Sequence, residues 1–302
     1  MKNKKPVKQH ILPRVYLKHF SLNEDGKSIF VIDRQDKYQK KIAVKNSGDK
    51  VFWENNFYNS NKLVNPSELE ELFGQKIESF YNDLIDEIKK EEIIKEWATK
   101  QKLITWIYFS IYRNPQWRSM YRKSIEIQNW LSRVYPDFSD NNIKLSKSDI
   151  NLISRENHLS HFLDKGIVNM NEKLFIDFIS CRRWKILKAS TGCHWITSDN
   201  PGFLFDYDKN RVKPILGFDN EDGLFFPLSK DYAIEIFPYS QDDNVELNIS
   251  NTDVEREVLT DEETVTLNRF SFATMNRLLI SPNLESFITL GFELARVEKY
   301  IK

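Results

Sequence analysis

Glycine is scarce in this chain, at 9 of 302 residues. Neither a Gly-x-Gly-x-x-Gly fingerprint nor a Gly-x-x-x-x-Gly-Lys-Ser/Thr loop occurs, so both glycine-built phosphate cradles are excluded. Cysteine is scarcer still. Cys181 and Cys193 make no Cys-x-x-Cys pair, so no disulfide framework is implied and a reducing cytoplasm is the expected location. Net charge is missing: 44 Lys and Arg balance 44 Asp and Glu, whereas a dedicated polyanion binder is strongly basic. No apolar run reaches the length of a membrane span, and the basic N-terminus lacks the apolar stretch of a signal peptide, so no membrane partner is expected. His-Glu-x-x-His and Gly-x-Ser-x-Gly are absent as well, and no cofactor or metal is expected.

What is present is core material. The chain is 40% hydrophobic and 13% aromatic, enough to exclude global disorder. Its length suits one large domain or two small ones. The favoured reading is a single domain over 1–302, and the alternative is two subdomains, 1–135 and 149–302, divided at the polar stretch 136–148. Charge is uneven along the chain. Residues 1–50 hold 13 Lys/Arg against 5 Asp/Glu, while 242–263 hold 1 Arg against 9 Asp/Glu. The two segments are either solvated surfaces of opposite sign, or they face each other, or the basic one meets phosphate; the acidic one also suits a protein partner.

Ser28–Asp33 and Tyr38–Val44 read as strands around the polar turn Arg34–Lys37, and Val51–Trp53 as a third. Pro66-Ser67-Glu68 opens a helix whose Leu69, Leu72, Phe73, Ile77, Phe80, Tyr81, Leu84 and Ile88 recur at three-four spacing to about Lys90. Helices are expected at Ile93–Tyr112, Gln116–Val134, Asp149–Leu163 and Glu172–Lys188, with Pro115 breaking the first from the second. Strands follow at His194–Thr197, Phe203–Phe205, Leu224–Pro227 and Tyr232–Phe237, then helices at Glu262–Ile280 and from Leu284. Strands, helices, strands, helices is an α+β order: a mixed or antiparallel sheet from N-terminal and central strands, packed against a predominantly helical body.

Four segments carry the chemistry-bearing residues. His10-Ile11-Leu12-Pro13-Arg14-Val15-Tyr16-Leu17-Lys18-His19-Phe20 joins a histidine and an arginine to an apolar-aromatic stripe that can dock a chain end. Tyr112-Arg113-Asn114-Pro115-Gln116-Trp117-Arg118 ends one helix and starts the next. The third runs from Trp184-Lys185-Ile186-Leu187 through Trp195-Ile196-Thr197-Ser198-Asp199-Asn200-Pro201, ending as a strand that enters a turn, and Phe225-Phe226-Pro227-Leu228-Ser229 is a strand end. Together, in this order, they resemble the bacterial family known as domain of unknown function 4238. Its members begin with His-x-x-Pro-x-x-Tyr-Leu-x-x-Phe and carry an Arg-x-Pro helix end, a Ser-Asp-x-Pro turn and a Pro-Leu-Ser strand. Asn268, followed by Ala273, resembles a late Asn helix of that family. Asn114 departs from it, standing where Thr is common. The resemblance spans nearly the whole chain and implies no particular reaction.

The residues themselves leave two readings open. In the first the chain is an enzyme. His10 is the general acid/base and Asp199 acts with it. Arg14, Arg113 and Arg118 bind an anionic group, and Ser198, Asn200 and Asn268 line the substrate. That set suits metal-independent hydrolysis of a phosphodiester or nucleotide, as in a nuclease-like effector of bacterial defence or toxicity. In the second reading the same groups bind an anionic ligand, a nucleic acid or a protein without turnover, with Trp53, Phe57 and Tyr58 available to stack on bases. Each residue also has a bland role. His10 can cap backbone, Arg113 can pair with the acids of 68–92, and Ser198-Asp199-Asn200 can be ordinary turn chemistry. His158 and His161, with Glu156, share a helix face, though lone helical His pairs are mostly surface features rather than metal sites.

Overall fold

The computed structural model describes residues 8–35, 42–60, 68–90, 97–135, 145–163, 182–207, 209–215, 222–238 and 254–291. The fold is α+β. Strand β1 (Lys8–His10) pairs antiparallel with β4 (Trp53–Asn55), His10 opposite Trp53. Pro13 then stands immediately ahead of helix α1 (Arg14–Lys18), where its fixed φ suits a helix entry and its missing N–H costs nothing. Tyr16, Leu17 and Phe20 are buried, so the aromatic stripe anchors this segment as its spacing predicts.

The hairpin β2 (Ile29–Asp33) and β3 (Ile42–Lys45) joins β12 (Leu278–Ser281) and β6 (Thr197–Ser198) in a sheet of order β3-β2-β12-β6. The larger sheet has the order β11-β5-β10-β9-β7-β8, from Glu255–Val258, Arg182–Lys188, Tyr232–Pro238, Asp222–Pro227, Phe203–Asp206 and Arg211–Lys213. Its pairs are antiparallel except β11 with β5. The N-terminal and central strands therefore meet through the short β6 rather than in one continuous sheet. The helical body runs α2 (Glu68–Leu72), a π-helical turn (Phe73–Glu78), α3 (Tyr81–Lys89), α4 (Trp97–Tyr112), α5 (Pro115–Val134) and α6 (Lys147–Leu163). Two later helices, α7 (Asp261–Thr274) and α8 (Glu285–Ile288), flank β12.

Several expectations need correction. Arg182–Lys188 is a strand, not the end of a helix: it sits between β10 and β11 with Trp184, Ile186 and Leu187 buried. Three apolar residues among Arg and Lys are too few to fix a period, and sheet pairing decides it. The rest of that expected helix, with Cys181, lies outside the described residues, as do much of Tyr38–Val44 and the helix starts near Pro66 and Ile93. Val51 and Phe52 belong to a 3₁₀ turn, and pairing begins at Trp53. The helix expected over Glu262–Ile280 stops at Thr274, where Met275 turns extended, and Leu278–Ser281 become β12.

Tyr16 is where these layers meet. Its ring lies 4.9 Å from Phe20, 5.9 Å from Tyr81, 6.0 Å from Trp106 and 6.3 Å from Phe226. Its hydroxyl donates to the Pro227 carbonyl (2.8 Å), which leaves Thr197 Oγ1 (2.7 Å) as the donor to it. One side chain thus ties α1 to both sheets. Tyr16→Phe keeps the packing and strands two buried polar partners, so it should lower unfolding free energy by about 1–3 kcal/mol. Urea denaturation measures this; an unchanged midpoint would mean that the hydroxyl holds nothing.

Candidate functional site

The helix break at Arg113-Asn114-Pro115 organises the polar groups. Pro115 opens α5 and Asn114 is its N-cap, extended in backbone, with its side-chain oxygen accepting from Gln116 N (2.8 Å). The break lets two adjacent side chains leave the helix axis in different directions. The Asn114 amide donates to Asn200 Oδ1 in the Ser198–Pro201 turn. The Arg113 guanidinium reaches the other way, into the N-terminal segment.

Arg113 is fully buried and its donors meet protein groups. Nη1 donates to Glu78 (2.7 Å), Nη2 to the His10 carbonyl (2.8 Å) and Nε to the Tyr58 hydroxyl (3.2 Å), which itself donates to the His10 carbonyl (3.1 Å). The Phe73 ring lies 4.4 Å from the guanidinium carbon, presented by the π-helical turn. Burial alone would lower the pKa of Arg113, but Tyr58 and Glu78 more than offset it and keep it raised. Burial pushes the Tyr58 phenol up to about 12, with Arg113 opposing.

Two buried polar atoms in this cluster have no hydrogen-bond partner: His10 Nε2 and Glu70 Oε2. They belong to neighbours, since the Glu70 carboxylate accepts from the His10 backbone. Burial holds the His10 imidazole near 4, assisted by Arg113, Arg14 and Lys8 and opposed by Glu78. Burial also raises Glu70, with Glu78 adding to it and Arg113 opposing. Burial thus disfavours the charged form of both side chains, lowering the imidazole and raising the carboxyl.

The Asp199 carboxylate is occupied differently. It accepts from the backbone of Arg277 (3.0 Å) and Leu278 (3.0 Å) and from the Asn276 amide (3.3 Å). Burial raises its pKa and those donors pull it back. Ser198 Oγ donates to the Asn200 carbonyl (2.6 Å) and accepts from Asn200 N (3.1 Å), and the Asn200 amide donates to Thr274 O (3.1 Å). Gly202 closes the turn at φ +82°, where a Cβ would stand 2.1 Å from Phe225 O. The strand expected over His194–Thr197 begins only at Thr197; Asn268 bridges the irregular segment leading into β6, accepting from Ile196 N (3.0 Å) and donating to His194 O (2.9 Å).

The expected residues thus fall into two groups joined by the helix break. His10 and Arg113 meet directly; Ser198, Asp199, Asn200 and Asn268 surround the turn and α7. Arg14 is exposed beside the Gly48 turn. Arg118 donates to Phe57 O and stacks 3.8 Å over the Phe57 ring; burial lowers its pKa to about 10, opposed by Glu54 and Tyr58. Phe57 and Tyr58 are core residues, whereas Trp53 stays half-exposed under the Lys8 ammonium, 4.7 Å from its ring centre. His158 bonds the Tyr112 carbonyl (2.7 Å) and Glu156 accepts from Ser60 (2.6 Å). Among the described residues no group of three or more His, Cys, Asp or Glu could hold a metal ion. The expectation that Arg113 pairs with an acid of 68–92 holds, and Glu78 is that acid; sequence reasoning did not single out Glu70. It also missed the pair of His194 with Asp231 (3.1 Å).

These contacts link all four sequence segments: the first to the second through Arg113 and His10, the second to the third through Asn114 and Asn200, and the first to the third and fourth through Tyr16. The family model described as "Protein of unknown function (DUF4238)" matches residues 8–283. The chain belongs to this family. In this DUF4238 chain the match opens on β1 and closes just past β12, so it takes in every one of those contacts. No curated protein and no solved structure matches the chain.

Arg113→Ala leaves Glu78, Tyr58 and the His10 carbonyl without their shared donor. It should cost about 3 kcal/mol or more in urea unfolding, and a loss below about 1 kcal/mol would mean the cluster relaxes freely. The His10 shift sets a pH dependence. The unfolded chain protonates His10 near 6.5 and the native state only near 4, so the unfolded state binds more protons between those values. This stabilisation is complete above about pH 6.5 and is lost as pH falls towards 4. His10→Gln, which cannot be protonated there, should flatten that part of the melting-temperature profile; identical slopes would remove His10 from the acid response.

Proposed function

We propose that this chain is an acid–base hydrolase of phosphodiester or nucleotide substrates, acting in the bacterial cytoplasm as a defence or toxicity effector. The observation that carries the reading is two buried side-chain atoms with no partner among the described residues, His10 Nε2 and Glu70 Oε2, on residues joined by the bond from the His10 backbone to the Glu70 carboxylate. Leaving such atoms unsatisfied is expensive, and a site that does so in a folded protein offers them to something outside it. Burial that lowers an imidazole and raises a carboxyl favours the neutral form of each, which suits a base and an acid. His10 takes the proton of an attacking water and Glu70 protonates the leaving oxygen. Lys8 and Arg14, both exposed, neutralise the phosphate. Asp199 takes no proton in this scheme; its bonds hold the turn that receives Asn114.

A non-catalytic reading has one observation in its favour. Lys8 over the half-exposed Trp53 forms a cationic and aromatic surface beside His10, suited to an anionic ligand with a planar base. Turnover separates the two. His10→Ala should abolish product formation from a panel of oligonucleotides and nucleotides, and abolish toxicity on expression, with a melting temperature at neutral pH within a few degrees of the parent. Glu70→Gln should lower the rate and remove the alkaline limb of the pH profile. Ligand retention with no product by mass spectrometry would replace the hydrolase with the binding module.

A further inference from the structure

Helix α5 has two apolar faces. One is turned inward through Ile125 and the buried Asn129. The other is Ile127, Trp130, Leu131 and Val134, exposed at 58%, 57%, 42% and 45%. Their spacing places all four within one arc of the helix, directly opposite the buried face. Together they leave roughly 300–400 Å² of apolar surface in water, the scale at which a patch marks an interaction site. Scattered exposed hydrophobics need no explanation, but a periodic stripe along the outer side of a helix does.

The charges beside the stripe indicate what covers it. Glu126 and Arg133 lie on the same flank, seven residues apart. In an antiparallel pairing of two such helices, each flank meets the same flank of its mate. With Ile127 opposite Val134 and Trp130 opposite Leu131, Glu126 of one copy falls beside Arg133 of the other, twice across the two-fold axis. In the single chain Glu126 pairs with Arg122 (2.8 Å), and among the described residues Arg133 makes a long bond to Leu145 O (3.3 Å) on the surface; both side chains are exposed and accessible to a mate. A stripe that is apolar along its centre and charge-complementary to itself at its edge fits a second copy of this chain. We propose that this face is a homodimer contact, formed by antiparallel packing of α5 against α5. The area is below that of a permanent interface, so the dimer is a reversible one, forming at about micromolar concentrations or above.

Sedimentation velocity over a concentration series tests this on the full chain. The parent protein should shift from monomer to dimer. Trp130→Glu puts a charge at the centre of the contact and should raise the dissociation constant at least tenfold. Glu126→Arg should weaken it several-fold by setting a second guanidinium against Arg133 at both ends of the contact, and the exchange Glu126→Arg with Arg133→Glu should restore it to within about twofold. Thermal melts of each variant should match the parent, because these side chains are exposed. A parent that stays monomeric at the highest soluble concentration overturns the proposal. So does a dimer indifferent to Trp130→Glu, or a double exchange no better than Glu126→Arg alone.

Discussion

The structure depends on a helix that stops at Arg113. Had the helix continued, Arg113 and Asn114 would point along successive spokes of one cylinder. Pro115 forbids this by removing a backbone donor and crowding the preceding turn. Asn114 becomes extended and caps α5, and its amide is free to hold the Ser198–Pro201 turn while Arg113 grips β1. One break in one helix therefore fastens the N-terminal segment and the central turn to the same point. Tyr16 repeats the connection through the core, bonding Thr197 and Pro227 from the first helix.

Polar burial in this fold comes in two kinds. Around Asp199, Asn200 and Asn268 each acceptor finds a backbone or amide donor, so desolvation is compensated and the result is rigidity. Around His10 the backbone is equally well held, by Arg113 and Tyr58, but the imidazole Nε2 and a Glu70 oxygen are left over. Rigid backbone beneath unsatisfied side-chain atoms is the arrangement a reacting group requires, because the geometry is fixed while the chemistry stays available. Asp199 has both oxygens bonded, whereas Glu70 takes one bond from the His10 backbone and leaves Oε2 without a partner among the described residues.

The sequence carried some of this openly. The docking of Tyr16, Leu17 and Phe20 follows from apolar spacing, and the break at Pro115 from the ring of proline. Other features depend on partners distant in the chain. Asp199 reads as a strand-end carboxylate until the N–H groups of Arg277 and Leu278 close on it, and those residues look like the tail of a helix. Leu278, Leu279 and Ile280 continue an apolar run that fits a helix; only pairing with β2 and β6 makes them a strand. Arg182–Lys188 misleads for the same reason, since Trp184, Ile186 and Leu187 among four basic residues fit a helix face as well as a strand until β10 and β11 pair with it. Glu70 and Glu78 lie among the many acids of 68–92, any of which could pair with Arg113, and spacing alone singles out neither. The π-helical turn between them, which no propensity signals, packs Phe73 on Arg113 while Glu78 pairs with it.

Helix α5 connects these levels. Its first turn is fixed by Asn114 and Asn200, and its 20 residues carry it about 30 Å along its axis. The stripe from Ile127 to Val134 occupies the far half of that length, on the side turned away from the core. A mate docked there is separated from His10 by the length of the helix and by the packed aromatic layer at its base, where Tyr112 and Trp117 stack 4.9 Å apart. The proposed association at one end and the proposed acid–base site at the other can then be altered independently. A substitution at Trp130 that abolished hydrolysis as well as self-association would mean that α5 transmits between them, and the rigid cap at Asn114 is the element through which it would have to act.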